Sequence, residues 1–150
     1  MYLQHNFFEE TAKKYPKYIA VDDHGKKITY QQLDKEANQL ANFIRKLDIT
    51  SNNRICILLE KNTNQYLSIL GILKSGACWV PLSKNFPQER LKNIINNVKP
   101  SLIITDSESL LKNSKIFNKI NILVIDTNKK NEINFFSKKN FINESKIKPK

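Results

Sequence analysis

Between Leu73 and Leu91 the chain reads Leu-Lys-Ser-Gly-Ala-Cys-Trp-Val-Pro-Leu-Ser-Lys-Asn-Phe-Pro-Gln-Glu-Arg-Leu, and this run leaves few folds open. Gly76 stands where a helix ending near Lys74 needs a left-handed residue, a conformation that glycine adopts at little cost. Ala77 to Val80 is a short apolar run between punctuating residues, which predicts a strand buried on both faces. Pro81 ends it, because proline lacks the N–H that a central ladder requires. Pro87 suits the first turn of a new helix, with Glu89 near that helix's positive end. The run is a helix–strand–helix corner of a parallel α/β sheet.

The flanking sequence extends the pattern. His5 to Tyr15 has helical spacing and is stopped by Pro16. Tyr18 to Asp22 and Lys26 to Tyr30 read as two strands joined by the turn Asp23-His24-Gly25, a small hairpin. Thr29 and Gln32 form a capping box for the helix that follows, whose apolar stripe is Leu33, Ala37, Leu40, Ala41, Ile44 and Leu47. Arg54 to Leu59 is a nearly continuous apolar strand. Asn62 or Asn64 can cap the next helix, where Tyr66, Leu67, Leu70 and Leu73 or the stem of Lys74 make the apolar side. Gly71 inside that helix implies a close neighbour. Beyond the corner, Leu91, Ile94, Ile95 and Val98 line a helix stopped by Pro100. Leu102 to Thr105 is a strand, Ser107 to Lys112 a short helix and Asn121 to Ile125 a strand. Right-handed crossovers make this a parallel sheet with helices on both faces.

Several stretches resemble the amino-acid adenylation domains of nonribosomal peptide synthetases, within the wider superfamily of adenylate-forming enzymes. Those domains carry Leu-Lys-Ala-Gly-Gly-Ala-Tyr-Val-Pro-Leu-Asp-Pro followed by Tyr-Pro-x-Glu-Arg-Leu. Leu73, Lys74, Gly76, Val80, Pro81, Leu82, Pro87, Glu89, Arg90 and Leu91 match it, Trp79 and Phe86 are aromatic where the family has Tyr, and Ser83 and Lys84 depart from Asp-Pro. Thr29-Tyr30-Gln31-Gln32-Leu33 with Asn38-Gln39-Leu40-Ala41 is similar to the family's first core motif, with Gln32 in place of Glu. The resemblance starts near Phe7 and implies the amino-terminal part of the large subdomain of such an enzyme, over residues 1–126. Residues 127–150, rich in Lys and Asn, read as a linker or tail.

The resemblance also implies a reaction: a carboxylate and ATP give an acyl-adenylate and pyrophosphate, and the acyl group passes to a thiol on a carrier protein or CoA. ATP and magnesium are the cofactors of the full-length family. Holding a triphosphate takes a glycine-rich loop of inward-pointing N–H groups. The only glycines are Gly25, Gly71 and Gly76, too scattered for one, and no Walker or Gly-x-Gly-x-x-Gly pattern occurs. The family's phosphate loop, magnesium-binding Glu and late catalytic Lys all lie downstream. No catalytic, cofactor-binding or metal-ligating residue is therefore assigned, and no cofactor is expected for this chain alone. His5 and His24 have no sequence neighbour to polarise them as bases. Asp22-Asp23 suits a turn, Glu89 and Arg90 suit a helix start, and Trp79 suits the core.

Composition narrows the alternatives. A chain of 150 residues is one domain's worth and can bury roughly 70% of its unfolded surface. No apolar run approaches the ~20 residues of a membrane span, and no signal-peptide pattern precedes Tyr15-Pro16. The expected compartment is the cytoplasm. A net charge of +11 invites a nucleic-acid partner, but the lysines are spread along the chain instead of gathered on one face. Cys56 and Cys78 fall in strands, without metal or redox spacing, and suit the role of small buried hydrophobes. The expected partners are the remaining carboxy-terminal part of the enzyme, or a separate second half, and a carrier protein. The alternative reading is a stand-alone, non-catalytic α/β module that binds a protein or, less favoured, a nucleic acid.

Overall fold

The computed structural model describes residues 3–126 and 136–137. Helix α1 (Gln4–Lys14) leads into the antiparallel hairpin of β1 (Ile19–Asp23) and β2 (Lys26–Thr29). The turn closes with His24 and Gly25 at positive φ, and Asp22 Oδ1 accepts from the Gly25 N–H at 3.0 Å. Helix α2 (Tyr30–Lys46) begins at the expected capping box: Thr29 Oγ1 accepts from Gln32 N–H, while Gln32 Oε1 accepts from Thr29 N–H. Two orphaned donors are thereby satisfied.

The chain then alternates: β3 (Arg54–Leu58), α3 (Thr63–Ser75), β4 (Cys78–Pro81), α4 (Gln88–Val98), β5 (Leu102–Thr105), α5 (Ser107–Lys112) and β6 (Ile122–Val124). The sheet order is β4-β3-β5-β6, all parallel, with β7 (Phe136–Ser137) added antiparallel to β6. The segment 127–150, expected to be a linker or tail, lies outside the described residues apart from β7. Alternate strand residues point to opposite faces. Ile55, Ile57, Leu102, Ile104 and Leu123 join Leu40, Phe43 and Ile44 of α2 and Ile72 of α3 in one core. Cys56, Leu58, Ile103, Ile122 and Val124 join Leu91 and Ile95 of α4 and Phe117 in the other. From β3 the chain steps one way to β4, then back past β3 to β5. Reversing direction while keeping the hand of the crossover moves the connecting helix to the other face.

Two local expectations change. The strand of the corner is not buried on both faces: β4 is an edge strand whose Trp79 and Val80 are half-buried and whose Cys78 is exposed. Pro81 is accordingly part of the strand, opposite Ile57, since an edge tolerates a residue without an N–H. Gly76 does take the left-handed cap, at φ +88, and its N–H donates to the Leu73 carbonyl.

Candidate functional site

In open α/β sheets, ligands bind beyond the carboxyl ends of the strands, where the strand order reverses. Here that point lies between β3 and β5. Glu60 follows β3, Asp106 follows β5 as the N-cap of α5, and Lys84 reaches in from the β4–α4 loop. The Lys84 ammonium stands 2.7 Å from Asp106 Oδ2 and 3.7 Å from Glu60 Oε1. Burial disfavours its charge, but the hydrogen bond to Asp106 and the charges of Asp106, Glu60 and Glu108 outweigh this, so its pKa is raised. Nearby, Asp126 Oδ1 accepts from the Ser107 N–H at 2.8 Å, and Asp126 Oδ2 accepts from the Ser107 hydroxyl. Among the described residues Glu60, Asp106 and Asp126 make this edge acidic, and Lys84 is committed to the first two.

A triphosphate does not fit these residues. Gly25 lies in the hairpin turn, Gly71 within α3 and Gly76 at its end, so no glycine-rich loop faces the edge. The carboxylates would repel the anion, and Lys84 is already neutralised. Among the described residues, no three His, Cys, Asp or Glu side chains gather where they could hold a metal ion.

A second feature is an open cleft of about 700 Å³ between α1, the hairpin and α3. Phe8, Tyr30, Tyr66 and Leu70 line it together with Asp23 and His24. The Phe8 and Tyr30 rings pack at 5.6 Å. Asp23 Oδ2 accepts from the Thr63 N–H at 3.4 Å, and the Asn62 side chain caps the next two N–H groups of α3. Asp22 pairs with Lys27 at 3.8 Å. These carboxylates shape a turn and a helix start instead of facing each other across a reacting atom. His24 is placed on the cleft and His5 on α1. Arg90 stacks over the Phe86 ring at 4.3 Å, Glu89 lies in the first turn of α4, and Trp79 packs against the α2–α3 core.

The helix layer also holds a cluster that the sequence did not single out. Lys74 lies in the last turn of α3 with its side chain 4% exposed, its ammonium paired with Glu9 of α1 and standing 2.9 Å from Asp34 Oδ1 of α2. Its carbonyl accepts from the Arg45 guanidinium. The signal was a lysine following the apolar run Ile69–Leu73 in the last turn of α3, but the stem of a surface lysine explains the same pattern.

The family model described as AMP-binding enzyme matches residues 8–149. The chain belongs to that family. Gramicidin S synthase 2 of Brevibacillus brevis is 34% identical over 104 residues, which cover 69% of this chain and 2% of that protein. The structure of the nonribosomal peptide synthetase FmoA3 in its alpha-methyl-L-serine-AMP bound form superposes with a TM-score of 0.68 at 24% identity, over 71% of this chain and 12% of that one. A mutant form of coronafacic acid ligase from Pectobacterium brasiliense superposes at 0.79 and 23% identity, over 87% of this chain and 27% of that one. The AMP-binding section seen here therefore spans a small part of the proteins it matches, and the two structures share its fold.

Proposed function

We propose that this chain is the amino-terminal scaffold of an ATP-dependent adenylate-forming ligase. The whole enzyme would activate an amino or other carboxylic acid as acyl-AMP and pass the acyl group to a thiol of a carrier protein or CoA. The partial AMP-binding domain takes in residues 1–126 and runs on into the segment 127–150, since the family match extends to 149 and β7 pairs with β6. ATP and magnesium belong to the part of the domain that carries the phosphate loop, and the chain is not catalytic alone. The observation that carries this reading is the family match across residues 8–149, joined to a strand-end crevice with no cradle for a triphosphate. The relatives support a carrier-protein partner, and the lack of any described helix long and apolar enough to cross a membrane accords with a cytoplasmic location.

ATP–pyrophosphate exchange tests the proposal. The 150-residue chain should show none with any amino acid. A chimera in which residues 8–126 replace the aligned section of a gramicidin S synthase 2 adenylation domain should show exchange with that domain's amino acid. Exchange by the chain alone, or a folded but inert chimera, would overturn the proposal.

A further inference from the structure

We infer that the β4–α4 loop, residues 82–87, is a strap over the strand-end crevice, and that the ion pair of Lys84 with Asp106 is the latch that holds it shut. The inference concerns this chain's own loop and is independent of the ligase reading.

The strap is fastened firmly at both ends and lightly between them. Leu82 is buried in the core beneath α4, and its N–H donates to the Ile57 carbonyl at 2.8 Å. At the far end Arg90 stacks on Phe86. Gln88 Nε2 donates to the Lys112 carbonyl at 3.1 Å, so α4 is tied to α5 whatever the strap does. Between these anchors the Asn85 N–H donates to Ser83 Oγ and the Phe86 N–H to the Ser83 carbonyl, bonds that stay within the loop. Pro81 and Pro87 bracket the segment, but residues 82–86 contain no proline to fix the backbone. What reaches from the strap to the ends of β3 and β5 is the Lys84 side chain.

The pair is built to hold and to let go. The Lys84 and Asp106 side chains are 22% and 20% exposed, so solvent screens their attraction less than it would on the open surface. Glu60 and Glu108 add negative charge around the same ammonium. Asp106 divides its oxygens: Oδ2 holds Lys84, while Oδ1 accepts from the Ser109 N–H at 2.8 Å as the cap of α5. Release of the lysine therefore leaves the cap of α5 in place. It sends a flexible, strongly hydrated ammonium back to water and uncovers Asp106 beside the point where the strand order reverses.

Amide hydrogen exchange on the full 150-residue chain tests the inference, because it reads local opening separately from global unfolding. Asn85 and Phe86 report on the strap, Ile55–Leu58 on the whole fold and Ser109 on the α5 cap. Lys84→Met should speed exchange at Asn85 and Phe86 several-fold and leave β3 and Ser109 unchanged. Lys84→Arg should keep most of the protection. Asp106→Asn, which retains an oxygen for the cap, should match Lys84→Met, and the double variant should exceed neither. Lys92→Met, on the exposed side of α4, is the control. A rise no larger than the control's, additive effects in the double variant, or a rise that spreads to β3 would overturn the inference. So would free-chain exchange at Asn85 and Phe86 in the native chain, since no closed state would then exist to latch.

Discussion

A Cβ placed on Gly71 would stand 2.6 Å from Leu40 Cδ2 and 2.7 Å from Leu40 Cγ, so α3 and α2 touch at backbone-to-side-chain distance. Leu40 is itself fully buried among the α2–sheet core and has little room to yield. Gly71→Ala therefore sets a gain of about 1 kcal/mol in helix propensity against an overpacking cost of about 1–3 kcal/mol. Net destabilisation is expected in urea unfolding. In a Leu40→Ala background the same substitution should become neutral or stabilising. If Gly71→Ala raises the midpoint in the native background, the two helices have more room than the structure shows.

Lys74 ties three helices through one ammonium. Its partners keep some water, with side chains 32% (Glu9) and 28% (Asp34) exposed. Lys74→Met should therefore cost less than the ~3–5 kcal/mol of breaking a fully buried pair, about 2–3 kcal/mol. Adding Asp34→Asn and Glu9→Gln should recover part of the loss, because the repelling carboxylates are then gone. A double-mutant cycle reads the coupling directly. Coupling near zero would mean that Lys74 is held by its stem alone.

The same cluster has a pH signature. The hydrogen bond from Lys74 holds the Glu9 carboxyl below its ordinary 4.5, against the opposing effect of burial. A group with a depressed folded-state pKa adds stability that is complete above its unfolded pKa and is lost as pH falls through the folded one. The difference in melting temperature between native and Glu9→Gln chains should be constant at neutral pH and shrink below 4.5. A gap that persists at lower pH would assign the effect of Glu9 to packing.

Local chemistry made some of this legible before any coordinates. The Thr29–Gln32 capping box, the α2 stripe and the left-handed Gly76 each depend on residues within a few positions of one another, and each stands where the pattern put it. Order across the sheet is another matter. Whether Cys78–Pro81 is central or at the edge depends on which strand follows on its far side, which no local pattern states. The ion pairs of Lys74 with Glu9 and of Lys84 with Asp106 likewise span 65 and 22 positions. A lysine with a long stem reads the same from sequence whether its head is wet or paired. The glycine count needed no structure: Gly25, Gly71 and Gly76 are too far apart in sequence to make one phosphate-cradling loop.

The two cysteines, alike in sequence, should differ in reactivity. Cys56 is fully buried in β3, and burial pushes its thiol up to about 12. Cys78 opens the edge strand and is exposed. The thiolate is the reacting species, so at pH 8 iodoacetamide should alkylate Cys78 within minutes. Cys56 should be modified only on unfolding, at a rate that follows global stability. Peptide mapping after a timed pulse distinguishes the two. Equal labelling in native buffer would mean that β3, whose two faces both helix layers cover, opens locally.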